Sequence, residues 1–149
     1  MKDLGKTKFC LGLQIDHLED DILLHQSTYI QNALNKFNMD CCHPLSTPIV
    51  MGSLDVTKYL FCPLEEGEEI LGTEVPYLSA IGALLYLTNN TRPDIVFVVN
   101  LLARYSATPT QRYWKEIKHL LRYLKGTIYL GLFYKIKENM IYDNRRLCR

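Results

Sequence analysis

No stretch of this chain is long and apolar enough to span a bilayer. Its richest apolar runs are interrupted by Asn89, Arg92, Asn100 and Arg104 before they reach the ~20 residues that a helical crossing needs. Paired cysteine spacing is missing as well. The five cysteines, at positions 10, 41, 42, 62 and 148, are odd in number and form no framework. They read as reduced thiols in an intracellular compartment, cytoplasmic or nuclear. A secretory leader is not expected, since the chain opens Met-Lys-Asp-Leu-Gly and turns polar. Cys41-Cys42-His43 invites a zinc reading. Adjacent cysteines do not give the usual two-residue spacing, however, and no second ligand pair follows at a suitable distance.

The marks of catalysis are also missing. His17, His25, His43 and His119 are scattered, and no serine stands in a nucleophile-elbow context. The glycines form neither phosphate-binding fingerprint. The sole adjacent aspartates, Asp20-Asp21, lie in an acidic turn after Leu18-Glu19. Without a convergent acid, base and nucleophile, a hydrolase or transferase in its own right is set aside. There is no internal repeat.

What is present begins with size. With 149 residues, 48% of them apolar, the chain can bury one sizeable core. Its net charge of +1 conceals an asymmetry: residues 1 to 100 hold six Lys/Arg against thirteen Asp/Glu, and residues 101 to 149 hold eleven against three. A basic C-terminal third is the footprint that nucleic acid contact needs. Pairing with an acidic neighbour inside the fold gives the same asymmetry.

The clearest element follows Thr108-Pro109-Thr110-Gln111, which reads as a capping box with proline at the first helical position. Tyr113, Trp114, Ile117, Leu120, Leu121 and Leu124 then recur at helical spacing and share one face. Lys115, Lys118, Arg122 and Lys125 fall on the other side, and Gly126 reads as the stop. Such a helix docks on a core and holds cations outward toward a polyanion. A solvated lysine-rich face accounts for the same pattern. His119, beside the apolar face, reads as a structural histidine.

Elsewhere, Phe9–Ile15 and Ile22–His25 read as strands of a hairpin, with Gly12 marking a bulge or a close backbone approach. Thr28-x-x-Gln31 predicts a capped helix ending near Met39, with Tyr29, Ile30, Ala33, Leu34 and Phe37 on one face. Residues 40 to 72 have no period and read as a long connector containing the acidic cluster Glu65 to Glu69. Pro76 opens a buried helix from Tyr77 to about Thr88, and Thr91-Arg92-Pro93-Asp94 starts another over Ile95 to Tyr105. Ile128 to Tyr134 reads as a strand with Met140 to Tyr142 as its hairpin partner. The fold class is therefore α+β and helix-rich, with an N-terminal β-hairpin, about four helices and a C-terminal β-hairpin.

Six words of the sequence run in a recognisable order: MKDLGKTKFCLGLQID, ILLHQSTYIQNALNKFNM, YLSAIGALLYLTNN, TRPDIVFVVNLLARYS, PTQRYWKEIKHLLRYLKGT and GLFY. Together they resemble the copia-type retrotransposon Pol polyprotein, downstream of the reverse transcriptase active site, over nearly the whole chain. The resemblance implies a division into the end of the palm with a primer-grip-like hairpin (1–26), a thumb-like helix (27–39), and an acidic connector (40–72). A three-helix thumb or connection region (73–127) and the start of a ribonuclease H-like strand pair (128–149) would follow.

It implies partners too: an RNA–DNA or DNA duplex serving as template–primer, and the palm, fingers or ribonuclease H parts of a longer polyprotein, with no membrane. The tyrosine-x-Asp-Asp motif of a polymerase would lie upstream of Met1. Tyr142-Asp143-Asn144-Arg145 stands near the expected first ribonuclease H aspartate but departs from its pattern. No catalytic, cofactor-binding or metal-binding residue is therefore expected here, and magnesium would belong to the missing catalytic domains. Phe9-Cys10-Leu11-Gly12 resembles the primer grip, where a small residue lets backbone approach a sugar-phosphate. The nucleic-acid-binding candidates are Leu11, Gly12, Arg112, Lys115, Lys118, Arg122 and Lys125. Tyr113 stands where family members often have histidine and is expected to pack. The alternative is a helical protein-interaction module, or a remnant with no retained activity, because helices built to pack on a palm would expose apolar surface without one.

Overall fold

The computed structural model describes residues 6–19, 21–49, 70–72 and 74–135. The first apolar run is two strands rather than one. β1 (Phe9–Cys10) and β2 (Leu13–His17) are joined at Leu11 and Gly12, whose φ angles of 49° and 80° are both left-handed. Positive φ at both central residues is the signature of a two-residue turn that matches strand twist. Gly12 thus marks a reversal of the chain instead of a bulge, although a close approach does occur there: a Cβ would lie 2.5 Å from the Tyr86 hydroxyl. β3 (Asp21–His25) pairs antiparallel with β2, from Gln14 opposite His25 to His17 opposite Ile22.

The fourth strand comes from far along the chain. β4 (Leu132–Lys135) pairs antiparallel with β3, so the sheet order is β1-β2-β3-β4. Residues 127 to 130 form a turn rather than the start of that strand, closed by Leu130 N–H donating to the Thr127 carbonyl at 3.1 Å. Gly131 explains why β4 starts there. A Cβ on it would meet the Leu24 carbonyl at 2.1 Å, closer than any side chain allows. The expected hairpin partner Met140 to Tyr142 lies outside the described residues, as do positions 50 to 69 of the connector.

α1 (Ser27–Lys36) starts one residue before the expected cap. Gln14 on β2 supplies the capping oxygen instead: its Oε1 accepts from the Thr28 N–H at 2.9 Å and the Ser27 hydroxyl at 2.8 Å. The helix closes with Asn38 in the left-handed region (φ 55°), Met39 N–H on Leu34 O and Asn38 N–H on Asn35 O. That is the Schellman pattern, with asparagine taking the usual glycine position.

α2 (Tyr77–Asn90) follows Pro76 as the sequence predicts. A 3-10 turn at Pro93–Ile95 then leads into α3 (Val96–Ala103). α4 runs Gln111–Gly126 and starts two residues later than the capping-box reading. The reason is tertiary. Thr110 is extended and bridges Ile70, and the Pro109 carbonyl accepts from Leu71 N–H at 2.7 Å, so this backbone is held as a strand-like pair.

The four helices share one core. Ile30 and Leu34 of α1, Leu84 and Leu87 of α2, Val99 and Leu102 of α3, and Ile117, Leu120, Leu121 and Leu124 of α4 are essentially closed to solvent. Each such side chain contributes roughly 1.5–3 kcal/mol of burial. The molecule is α+β and helix-rich, as its pattern predicts. Among the described residues no helix is long and apolar enough to cross a membrane.

Candidate nucleic-acid interface

α4 divides as its spacing predicts. Its apolar positions are buried, Lys115 and Lys118 are exposed, and Arg122 and Lys125 are half-buried. Lys118 lays its ammonium 5.6 Å from the Trp114 ring centre, a cation–π contact that fixes the stem while leaving the head in water. Among the described residues none of these four cations pairs with a carboxylate; the ion pairs there are Arg92–Asp94 and, when the imidazole is protonated, His25–Asp16.

The far end of the basic face is occupied by backbone. Residues 40–47 run across it as a strap. Lys125 Nζ donates to the carbonyls of Asp40 and Cys42 (2.7 Å to the latter), and Arg122 Nε donates to His43 O at 2.9 Å. Leu45 N–H returns a bond to the Arg122 carbonyl at 3.1 Å, and His119 Nε2 lies 3.0 Å from Thr47 O. His119 is thus the structural histidine its position predicts. Gly126 is the last residue of the helix and lets the strap approach: a Cβ there would sit 2.8 Å from Leu45 O. Its φ is not left-handed, so space rather than turn geometry selects glycine.

Cys41 and Cys42 belong to the same strap. Cys42 Sγ donates to Met39 O at 2.8 Å, and the adjoining Asp40, by hydrogen bond and by charge, pushes the Cys41 thiol up. Among the described residues no group of three or more His, Cys, Asp or Glu side chains gathers where it could hold a metal ion.

Glu116 sits on this face but faces inward. It is 5% exposed, and its Oε2 has no hydrogen-bond partner among the described residues. Burial raises its pKa, against a smaller opposing effect from His119.

Arg112, another candidate, is half-buried and folds along its own helix. Its terminal nitrogen is 3.4 Å from the Tyr113 hydroxyl and its guanidinium 5.1 Å from that ring. Tyr113 is fully buried and stacks on Tyr105 with centroids 4.2 Å apart, the packing role its position predicts.

The Leu11–Gly12 turn is presented differently. Leu11 is 88% exposed and Phe9 65%, and the turn is anchored from behind by the Tyr86 hydroxyl donating to Leu11 O at 2.5 Å. Tyr86 is set by its tilted contact with Tyr29, 4.7 Å between centroids. Turn and basic face are thus held by different partners, α2 for one and the strap for the other.

Sequence reasoning missed the polar centre of the fold. Arg92 is 1% exposed. It grips both Asp94 oxygens (Nε–Oδ1 2.9 Å, Nη2–Oδ2 2.7 Å) and reaches Thr127 through its carbonyl (3.1 Å) and hydroxyl (2.8 Å). Tyr123 donates its hydroxyl to Asp94 Oδ2 at 2.8 Å and carries the guanidinium over its ring at 5.5 Å. Burial alone raises the Asp94 pKa, but the bonds from Arg92 and Tyr123 and the Arg92 charge outweigh it and leave the carboxyl below its ordinary value. The words TRPD and RYLKGT are therefore two halves of one lock. A signal was available: Arg92 is the only Lys/Arg between Lys58 and Arg104, placed between two apolar helices with Asp94 two residues on.

Known proteins are similar to most of this chain. The chain is 39% identical over 129 residues to the retrovirus-related Pol polyprotein from transposon TNT 1-94 of Nicotiana tabacum, a match covering 85% of this chain and 10% of that protein. It is 32% identical to the corresponding polyprotein from transposon RE1 of Arabidopsis thaliana, over 91% of this chain and 9% of that one. An uncharacterized mitochondrial protein of Arabidopsis thaliana is 36% identical over 89% of the chain and 51% of its own length. No family model matches the chain, and no solved structure does. The chain belongs with the Pol polyproteins of copia-type retrotransposons. It is a retrotransposon-derived sequence that spans about a tenth of the tobacco polyprotein and about half of the mitochondrial relative.

Proposed function

We propose that this chain is a template–primer-contacting part of a copia-type reverse transcriptase, without a polymerase or ribonuclease H centre of its own. The observation that carries this is the α4 face, whose cations Lys115, Lys118, Arg122 and Lys125 have no carboxylate partner among the described residues. Four cations on one helix side with no carboxylate partner among the described residues hold a field for a polyanion. The exposed Leu11–Gly12 turn adds a second point where backbone can approach a sugar-phosphate strand. Recognition by these groups is of phosphate and duplex shape, not of base edges.

In this reading the carboxylates that hold magnesium belong to other segments of the polyprotein. No chemical step is assigned to this chain in this reading. Residues 1–26 would close the palm, 27–39 and 73–127 would form the thumb and connection, and 128–149 would lead toward ribonuclease H.

A second reading is favoured by one specific observation. Leu78 on α2 and Phe97 on α3 are 66% and 69% exposed, the kind of surface a protein partner covers. Fluorescence anisotropy of a labelled RNA–DNA primer–template, titrated between about 50 and 200 mM salt, separates the two. Binding that weakens steeply with salt supports the duplex contact. No binding by protein with native helical circular dichroism leaves the interaction module.

A further inference from the structure

The cations that the proposed function needs are not all open. Lys125 already gives two of its three N–H donors to the carbonyls of Asp40 and Cys42, and Arg122 gives Nε to His43 O. We infer that the C-terminal half of the α4 basic face has two alternative occupants, the chain's own 40–47 strap and the phosphates of a nucleic acid duplex, and that duplex binding releases the strap. The inference rests on the duplex-contact reading and deepens it by naming how that site is regulated.

The chemistry sets the direction. Every acceptor that the strap offers Lys125, Arg122 and His119 is a neutral backbone carbonyl: Asp40, Cys42, His43 and Thr47. A phosphate oxygen is charged, and charge-assisted bonds are about twice as strong as neutral ones. The strap, in contrast, is tethered and therefore always at hand, which lets weak bonds hold the face when no duplex is present. A duplex backbone approaching Lys115 and Lys118 along the helix meets the strap at Arg122 and Lys125. Gaining those two contacts costs it the bonds that hold residues 40–47, including Leu45 N–H on the Arg122 carbonyl.

Coupling of this kind is reciprocal: a change that loosens the strap while keeping the cations must tighten the duplex. Gly126 supplies a way to loosen it without touching a cation. Its φ is not left-handed, so alanine is compatible with the backbone, but the added Cβ would sit 2.8 Å from Leu45 O and 3.3 Å from Pro44 Cβ. Gly126→Ala pushes the strap outward and leaves Lys115, Lys118, Arg122 and Lys125 in place.

The experiment is a titration of the labelled RNA–DNA primer–template with the full chain and with Gly126→Ala, each shown folded by circular dichroism. Amide hydrogen exchange over residues 40–47 is measured with and without saturating duplex. The expected result is a gain in affinity of about fivefold or more for Gly126→Ala, with faster exchange at Leu45 in the wild-type chain when duplex is bound. Equal or weaker binding by a folded Gly126→Ala, or slower exchange at Leu45 on binding, overturns the inference while leaving the duplex contact standing. Absence of binding by both folded proteins overturns the duplex contact and the inference together. Binding by Gly126→Ala alone supports both, with the strap as the occluding element. Should Gly126→Ala fail to fold, the exchange result on the wild-type chain decides.

Discussion

Arg92 and Thr127 lie 35 residues apart in the chain, yet the buried guanidinium of the first holds both the carbonyl and the hydroxyl of the second. The contact ties the start of α3 to the end of α4 and fixes the point where the chain turns from helices to the closing strand. Thr127 completes the arrangement by donating its own hydroxyl to Tyr123 O at 2.9 Å.

Removing that guanidinium breaks the link between Asp94 and Thr127. Arg92→Met takes the bidentate partner from Asp94, leaving Tyr123 as its side-chain donor, and leaves the Thr127 carbonyl without its guanidinium donor. With the Asp94 side chain about a third exposed, the expected cost is about 1–3 kcal/mol. Urea denaturation followed by circular dichroism measures it. Tyr123→Phe deletes one bond of the same set and is expected to cost about 1 kcal/mol. A loss as large as that of Arg92→Met would make Tyr123, not Arg92, the centre of the lock.

Two carboxyls are expected to respond to pH in opposite directions. Asp94 has a lowered folded pKa, so its contribution is present above the unfolded carboxylate value and is lost as pH falls through the folded one. Glu116 has a raised folded pKa, so its burial is best tolerated below the unfolded value and becomes a penalty as pH rises through the folded one. Glu116→Gln is therefore expected to add stability on the order of 1 kcal/mol at pH 8 and little at pH 4. Denaturation midpoints of both proteins across this range decide it. A larger gain at pH 4 than at pH 8 contradicts the assignment.

Gly131→Ala is expected to detach β4. Its Cβ would lie 2.1 Å from Leu24 O, backbone that cannot rotate aside. Overpacking of this kind costs about 1–3 kcal/mol. Loss of amide protection along Leu132–Lys135, with protection in the helical core retained, is the signature to look for.

The two halves of the basic stripe are expected to differ. Changing Lys115 and Lys118 to alanine should lower the salt slope of duplex binding by about two with stability unchanged within ~0.5 kcal/mol. Arg122 and Lys125 also hold backbone carbonyls, so their removal should lower the stability of the 40–47 strap as well as binding. Paired titrations and thermal melts of the two double variants test this. Equal effects on both properties would show the stripe acting as one uniform surface.

The readable parts of this structure are those decided by near neighbours in sequence. α2 and α4 follow from apolar spacing and from Pro76, and the buried face of α4 is the one its period marks. The parts decided by distant residues were not readable. Gln14 caps α1 from another strand, Leu71 draws Pro109 out of α4, and the Arg122 and Lys125 acceptors come from about eighty residues earlier. Composition shows that a cation is present; only packing shows what it already holds. Leu11–Gly12 is an intermediate case, since the glycine signalled an unusual backbone but not that Leu11 shares its left-handed conformation.

The four-stranded sheet also governs when the fold can form. β1, β2 and β3 emerge first, but β3 finds its second neighbour only in β4, after all four helices have been made. During synthesis the outer edge of β3 waits unpaired while the helical core assembles, and pairing with the short strand β4 closes the long excursion between them. Folding should therefore complete late and in a single event, with the ordering entropy of that excursion setting its rate. Any premature stop before Leu132 leaves a ribosome-released chain with a bare strand edge that invites aggregation.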